Sequence, residues 1–184
     1  ALVGCATGSP ETGVFETEEQ GREELYECLA YFQRLWAERQ GNGEGNDLVT
    51  MLANGEATQD MDPQEFLGNL VLLIVGGNDT TRNSISGGVL ALNENPGEYA
   101  KLRNNPGVIP NMVSEIIRWV TPLAHMRRTA NEDYVLRGQQ IKAGDKVVMW
   151  YVSGNRDERA IDRPDEFIID RPRARQHLSF GFGV

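Results

Sequence analysis

An acid and an alcohol stand side by side in the middle of an apolar, helical pattern. The stretch is GGNDTT at residues 76–81, directly after an apolar run at residues 70–75. Glycine costs about 1 kcal/mol relative to alanine inside a helix, and threonine and aspartate also disfavour helix interiors. Asp79 and Thr80 could relay protons to a bound ligand, while Gly76 and Gly77 would let a flat group approach the backbone. From these residues alone, the alternative is a close helix crossing at the two glycines with Asp79 partly exposed.

A second candidate is the acid and base of the sequence EIIR at residues 115–118. Because Glu115 and Arg118 are three residues apart, they lie on one face of a helix and can form an ion pair. Most such pairs lie at surfaces and contribute under about 1 kcal/mol. Here the flanking residues 116, 117, 119 and 120 are apolar, which indicates partial burial. A buried pair needs further hydrogen bonds, and Arg171 in the sequence IIDRPR could supply them.

The third candidate is the C-terminal stretch HLSFGFGV, in which aromatic residues alternate with glycines. Phe180, Gly181, Phe182 and Gly183 suit a tight loop laid against a flat ligand, because glycine lets the backbone come close. The alternative is a hairpin turn that contains glycine.

Long helices must position these residues. Apolar side chains at three- and four-residue steps predict an amphipathic helix over residues 16–40, and a short helix follows with Asp47 as its N-cap. Asp62 as N-cap, Pro63 at the first helical position and Glu65 at the third begin another helix. Its pattern continues to about Asn93, which gives a length of roughly 45 Å.

The second half of the chain changes from helices to short strands. Pro96 opens one helix, and a further helix over residues 108–120 ends at Thr121-Pro122, because the residue before proline disfavours the helical conformation. The stretches MRRTA, DYVLRG and QQIKAGDKVVMWYV alternate and carry turn signals, so they predict short β-strands. Residues 153–167 are polar and predict a loop with a helical turn. The fold class is therefore mainly α, of the α+β type.

Composition excludes several kinds of function. The formal charge of −9 argues against nucleic acid or an anionic membrane surface as partner. Cys5 and Cys28 form no disulfide framework, and with only His125 and His177 a zinc site is not expected. The longest apolar run, at residues 70–75, is too short to span a bilayer. These features favour a reducing, cytoplasmic setting.

Taken together, the three stretches resemble the cytochrome P450 haem monooxygenases in order and spacing. GGNDTT is similar to the family's oxygen-binding helix motif, Glu115 and Arg118 to its ExxR helix, and Arg171 to the arginine that completes a Glu-Arg-Arg triad. Phe180 and Gly183 match the start of the family's haem loop. The resemblance covers nearly the whole chain and implies the central-to-late part of the P450 fold, as one partial domain over residues 1–184. It also implies truncation at both ends, with the axial cysteine expected three residues beyond Val184.

The resemblance implies roles for individual residues. Asp79 and Thr80 would be catalytic, steering protons toward dioxygen, and Glu115, Arg118 and Arg171 would form a structural triad. The residues expected to contact haem b are Gly76, Gly77, Arg128, His177, Phe180 and Gly183, with Arg128 and His177 placed for the haem carboxylates. For His177 the alternative is a solvated loop histidine. Without the axial thiolate, the chain as given is expected to be inactive.

A closer resemblance is to soluble bacterial members that hydroxylate the terminal carbons of medium-chain alkanes, and it is carried by GGNDTTRNSISGG and RQHLSFGFGV. It implies Val75, Leu123, Ala124 and Met126 as substrate contacts, with Leu73 and His125 as further candidates. Ordinary core packing is the alternative for these apolar residues. The implied partners are an alkane, dioxygen, and a ferredoxin with its reductase as electron donors.

Two other interpretations stay open. Within the family, the substrate could be a fatty acid or a terpene instead of an alkane. From another class, the chain could be a helical interaction or scaffold protein without haem, in which the glycines only allow helices to cross closely.

Overall fold

The computed structural model describes residues 16–42 and 45–181, and the chain divides into two compact units between Asp79 and Thr80. The boundary falls inside one long helix. The prediction of a single partial domain over residues 1–184 stays a prediction, and the two units are described separately below.

The first unit contains helices α1 (Glu18–Arg39) and α2 (Leu48–Asn54). Asp47 caps α2, because its carboxylate accepts a hydrogen bond from the Thr50 N–H at 3.0 Å. Arg39 ties the end of α1 to this cap through its hydrogen bonds to Asp47 and to the Thr50 hydroxyl. Asn54 closes the contact by donating to the Arg39 carbonyl at 3.0 Å. The N-cap predicted at Asp47 is therefore present.

Helix α3 (Pro63–Glu94) has 32 residues, which corresponds to about 48 Å. At its start, the Asp62 carboxylate accepts hydrogen bonds from the N–H groups of Gln64 and Glu65, at 2.8 and 3.0 Å. In the first unit, Phe66 on α3 packs edge-on against Trp36 of α1, with ring centroids 4.6 Å apart. The helix continues through residues 76–81 and carries the predicted acid–alcohol pair in its middle.

The second unit follows α3 with α4 (Pro96–Asn104) and α5 (Ile109–Val120), joined by a 3-10 turn at Pro106–Val108. Strands β1 (His125–Thr129) and β4 (Lys146–Trp150) form one antiparallel pair, and β2 (Tyr134–Leu136) and β3 (Gln139–Ile141) form another. A short helix, α6 (Tyr151–Gly154), follows β4, and a 3-10 turn at Ala174–Gln176 precedes the C-terminal loop. This is the mainly α, α+β class predicted, which is confirmed.

The core of the second unit joins α3 and α5 to the segment before the C-terminal loop. Ala91, Phe167 and Ile169 are its buried members. Partly buried side chains pack around them: Leu92, Leu102, Val108, Met112, Ile116 and Trp119. Residues 167–169 are thereby held against the helices that precede the strands, which brings the later motifs close to α5.

Among the residues that the structure describes, no helix is both long and apolar enough to cross a membrane.

Candidate functional site

Glu115 and Arg118 form a buried, two-pronged ion pair on α5. The Arg118 Nε and Nη2 groups each donate to a different carboxylate oxygen of Glu115, both at 2.8 Å. Arg171 adds a third charge-assisted bond, from its Nε to Glu115 Oε2 at 3.0 Å. The carboxylate also accepts the Ile168 N–H at 2.9 Å. The structure thus brings the three predicted triad residues, Glu115, Arg118 and Arg171, into one cluster.

The remaining hydrogen atoms of Arg118 are donated to backbone carbonyls. Nη1 donates to the carbonyls of Asn155 and Pro164, each at 2.8 Å, and Nη2 also donates to that of Glu166 at 3.1 Å. Together with the two bonds to Glu115, these use all five N–H donors of the guanidinium. A buried charge is tolerated only when its hydrogen bonding is this complete.

Arg171 holds a neighbouring turn in the same way. Its guanidinium donates to the carbonyls of Asp162, Arg163 and Glu166. Because Arg118 also contacts Glu166, both arginines hold residues 162–168 against α5. The cluster organises backbone, and its side chains are buried: Glu115 and Arg118 are 0% and 1% exposed.

A second polar network joins the end of α5 to the C-terminal loop, and the sequence patterns did not predict it. Asn155 is fully buried and donates from Nδ2 to the hydroxyls of Thr121 and Ser179, both at 2.9 Å. Its Oδ1 accepts the Leu178 N–H at 2.7 Å. Ser179 in turn donates to the Ile117 carbonyl at 3.0 Å. Asn155 lies in a polar stretch predicted to be loop, and nothing local in that stretch marks it as buried.

The C-terminal loop carries His177 and Phe180. The two rings meet edge-on with centroids 5.2 Å apart, and Phe180 is 82% exposed. The Ser179 N–H lies 3.3 Å from His177 Nδ1, so that nitrogen is the acceptor and a neutral ring carries its proton on Nε2. Burial lowers the pKa of His177, the nearby Arg118 charge lowers it further, and Glu115 opposes both effects. His177 is therefore a half-buried, neutral donor at pH 7, not a fully solvated one. Gly183 lies outside the described residues.

Strand β1 carries the other predicted cation. Arg128 is exposed, and the alternation of side chains along a strand puts it on the same face as Met126. On the opposite face, His125 stacks on Trp150 of β4 with ring centroids 4.8 Å apart. Leu123 and Ala124, just before the strand, are exposed as well.

The predicted acid–alcohol pair lies on α3 at the boundary between the units, with Asp79 in the first and Thr80 in the second. Both side chains are half-buried, as is Val75, while Leu73 is exposed. A Cβ built on Gly76 or Gly77 meets no atom within 4 Å beyond the adjoining turns of its own helix in the described chain. Close helix packing therefore does not explain these glycines there.

A different pair of glycines on α3 makes the close helix contact. A Cβ on Gly87 would lie 2.6 Å from a methyl of Val120, and one on Gly88 would lie 2.8 Å from the Ile116 side chain. Both partners are on α5. A close helix contact of the kind considered for Gly76 and Gly77 is thus made by Gly87 and Gly88, three turns later along α3.

The family model for cytochrome P450 matches residues 22–184 of this chain. Linalool 8-monooxygenase of Pseudomonas putida is 44% identical over 160 residues, which are 86% of this chain and 39% of that protein. A methyl-branched lipid omega-hydroxylase of Mycobacterium bovis is 40% identical over 156 residues, 84% of this chain and 36% of that protein.

Among solved structures, cytochrome P450-153 from Novosphingobium aromaticivorans is similar to this chain with a TM-score of 0.86 and 51% identity. The match covers 100% of this chain and 45% of that one. The chain thus spans less than half the length of each of these relatives.

Proposed function

Because this chain belongs to the cytochrome P450 family, we propose that the protein is a haem-dependent monooxygenase that hydroxylates terminal carbons of medium-chain alkanes. An alkane, dioxygen, two electrons and two protons give the alcohol and water. The electrons come from a ferredoxin and its reductase. The cofactor is haem b, which the family uses.

The observation that carries the proposal is the arrangement on α3. Two glycines with open Cβ positions are followed within one turn by a half-buried acid and alcohol. Inside a helix this combination is unfavourable for stability, and such local violations are typical of functional sites. Asp79 and Thr80 are therefore the residues to which we assign proton delivery.

Each unit contains residues with the chemistry to hold part of a haem group. In the first unit, the bare backbone at Gly76 and Gly77 leaves room for a flat ring or for dioxygen. In the second unit, the exposed Arg128 guanidinium and the Nε2–H of His177 are donors suited to the two haem carboxylates. The exposed Phe180 ring adds an apolar surface on the same loop as His177.

When bound, thiolate-ligated haem iron favours cleavage of the O–O bond of dioxygen. The residues of this chain bind, orient and transfer protons. The Thr80 hydroxyl and the Asp79 carboxyl hold and pass a proton, a role that contributes roughly 10²- to 10⁴-fold in enzymes. Arg128 and His177 orient the cofactor through its carboxylates. The buried cluster at Glu115 keeps the segment before the His177 loop in one arrangement.

Apolar side chains support the choice of substrate. Val75, Leu123, Ala124 and Met126 offer no hydrogen-bonding side chains, so a polar substrate would lose its bonds to water without replacement. Two relatives are named as a linalool 8-monooxygenase and as a methyl-branched lipid omega-hydroxylase. The similarity to cytochrome P450-153 agrees with the subgroup that the motifs resemble.

The test of haem binding is the spectrum of the complete protein. Reduced and exposed to carbon monoxide, it is expected to absorb near the wavelength typical of thiolate-ligated haem. Protein that takes up no haem would exclude the monooxygenase and favour the helical scaffold.

A second candidate substrate class is the terpenes, favoured by the identity of 44% to linalool 8-monooxygenase. Turnover of octane, linalool and a fatty acid by the loaded enzyme, each with the same ferredoxin and reductase, separates the classes. Octane is expected to give 1-octanol with the highest kcat/KM. A higher kcat/KM for linalool or for the fatty acid would show that the alkane assignment is wrong, but it would still support a monooxygenase.

A further inference from the structure

We propose that Asn155 is a positioning residue that sets the geometry of the loop over residues 177–181, and through it the direction in which His177 presents its Nε2–H. The proposal concerns a side chain that is fully buried. One part of the proposal, that His177 donates to a haem carboxylate, rests on the function proposed above.

The geometry singles out Asn155 because it links three segments at one buried point. Its amide nitrogen contacts Thr121 at the end of α5 and Ser179 in the loop, and its amide oxygen accepts the Leu178 N–H. Its own backbone carbonyl accepts from Arg118 at 2.8 Å. Leu178 and Ser179 are the two residues that follow His177, so their backbone fixes the ring's position.

The chemistry of the neighbours allows only one orientation of the amide. A backbone N–H can only donate, so the Leu178 N–H requires the oxygen of Asn155. The Thr121 and Ser179 hydroxyls already donate to the carbonyls of Arg118 and Ile117, at 2.6 and 3.0 Å. They therefore need donors, which are the two hydrogens of the Asn155 amide nitrogen. Asparagine supplies one acceptor and two donors at this point, and a side chain of similar size without them leaves the Leu178 N–H without its acceptor and removes one accepted bond from each hydroxyl.

The consequence for His177 follows from Ser179. Because Asn155 holds the Ser179 side chain, the Ser179 N–H stays directed at His177 Nδ1 at 3.3 Å. That bond keeps the proton of the neutral ring on Nε2, which is the nitrogen left to donate to an anion. Loss of Asn155 is expected to release the loop and to let the imidazole proton occupy either nitrogen.

The experiment replaces Asn155 by leucine and, separately, Ser179 by alanine, in the complete protein. The second variant removes one link and keeps the bond from Leu178, so it tests the same idea if Asn155→Leu does not fold. Nitrogen NMR of the histidine rings reads the tautomer of His177, assigned by a His177→Gln sample. The protein is measured as isolated and, where haem is present, reduced and CO-bound. We expect a single Nε2–H tautomer in the unmodified protein and a mixture in both variants.

The matched control is Asn111→Leu. Asn111 lies on α5, is partly buried and, like Asn155, donates twice: its two bonds go to the carbonyls of Ile169 and Arg171, at 2.8 and 3.1 Å, and neither goes to the 177–181 loop. It is expected to lower the unfolding midpoint while leaving the His177 tautomer unchanged. If Asn155→Leu and Ser179→Ala also keep the Nε2–H tautomer, or if Asn111→Leu disturbs it equally, the positioning role is wrong.

Haem release separates this inference from the proposed function. If His177 binds a haem carboxylate, loss of that bond in Asn155→Leu should raise the rate of haem loss about tenfold, and Asn111→Leu should not. If the unmodified protein takes up no haem, the proposed monooxygenase function is wrong. The His177 tautomer in the variants still tests the role of Asn155 in that case. If the His177 tautomer changes but the rate of haem loss does not, Asn155 is a positioning residue and His177 does not contact the cofactor.

Discussion

The guanidinium of Arg118 lies edge to edge with the carboxylate of Glu115, with both nitrogen–oxygen distances at 2.8 Å and both side chains buried. The Glu115 carboxylate accepts four bonds in all, because Arg171 and the Ile168 N–H complete its set. Removing two charges from water is costly, and only such complete pairing offsets it. The cluster therefore tolerates no partial substitution.

The first prediction is that Arg118→Met strongly destabilises the protein. The change leaves Glu115 buried with two of its bonds lost, and removal of one partner of a buried pair costs about 3–5 kcal/mol. Urea unfolding, followed by circular dichroism, measures the free energy of unfolding.

Lys101→Met is the matched control for this change. Lys101 also bridges two carboxylates, those of Glu98 and Asp170, each at 2.9 Å, but its side chain is 45% exposed. Exposed pairs contribute under about 1 kcal/mol, so this variant should unfold close to the unmodified protein. Equal losses for Arg118→Met and Lys101→Met would mean that the cluster is not buried as described.

Local sequence signals predicted most of the fold. Asp47 and Asp62 cap the helices that they were expected to cap, since N-capping needs only a side-chain oxygen a few residues before the helix. The end of α5 at Thr121 followed from the proline after it, and the alternating stretches located the strands. Tyr151 and Val152, predicted as part of the last strand, instead begin helix α6. Glu115 and Arg118 were recognisable as a pair because their spacing is helical.

Contacts between distant parts of the chain were not predictable in the same way. Asn155 meets Thr121 across 34 residues and Ser179 across 24, and no periodicity encodes either contact. Likewise, Gly87 and Gly88 resemble Gly76 and Gly77 in sequence, and only the position of α5 shows which pair touches another helix. Which polar residue is buried depends on tertiary packing, and a single sequence does not carry that information.

The second prediction contrasts those two glycine pairs. Gly76→Ala or Gly77→Ala should stabilise the protein by up to about 1 kcal/mol, because alanine is the better helix former and its Cβ meets open space. Gly87→Ala or Gly88→Ala should destabilise it by about 1–3 kcal/mol, because Val120 or Ile116 must move. Thermal unfolding of the four variants measures the difference. Were Gly87→Ala to stabilise as much as Gly76→Ala, the α3–α5 contact would be wrong.

In the haem-loaded enzyme, Gly76→Ala and Gly77→Ala should show the opposite trend. The added methyl would occupy the room assigned to the cofactor or dioxygen, so turnover should fall although stability rises. If both variants keep the full turnover rate, Gly76 and Gly77 do not border the cofactor or dioxygen as proposed.

The third prediction concerns proton delivery. Thr80→Ala and Asp79→Asn should each lower product formation by about 10²-fold, since a positioned proton donor or acceptor contributes at least that much. Electron consumption should fall less than product formation, because reduced oxygen is then released without hydroxylating the substrate. Measuring both quantities in the same reaction gives the fraction of electrons that reach product.

Ser86→Ala is the control on the same helix. Ser86 is exposed, and its hydroxyl donates only locally, to the Arg82 carbonyl at 2.8 Å. In the Ser86→Ala enzyme, the fraction of consumed electrons that reaches product should equal that of the unmodified enzyme. A Thr80→Ala enzyme that behaves like Ser86→Ala would contradict the assignment of Thr80.

The fourth prediction is a dependence of stability on pH through His177. Burial and the Arg118 charge lower the pKa of His177 below its ordinary value of 6.5, while Glu115 acts in the opposite sense. The unfolded chain therefore binds a proton before the folded protein does as pH falls. The free energy of unfolding should be constant well above pH 6.5, decrease as pH falls through 6.5, and stop decreasing well below the folded pKa. Urea unfolding at a series of pH values measures it.

His177→Gln should remove this slope, because glutamine does not titrate. Asp47→Asn is the matched control: the hydrogen bonds from Thr50, with a smaller contribution from Arg39, lower the pKa of Asp47 from 3.8 to about 2. Its contribution is complete above pH 3.8 and is lost as pH falls toward 2, so the variant should change only that lower range. A slope near pH 6.5 that survives in His177→Gln would show that another group causes it, and that the His177 ring is not held in the half-buried position from which its proposed role follows.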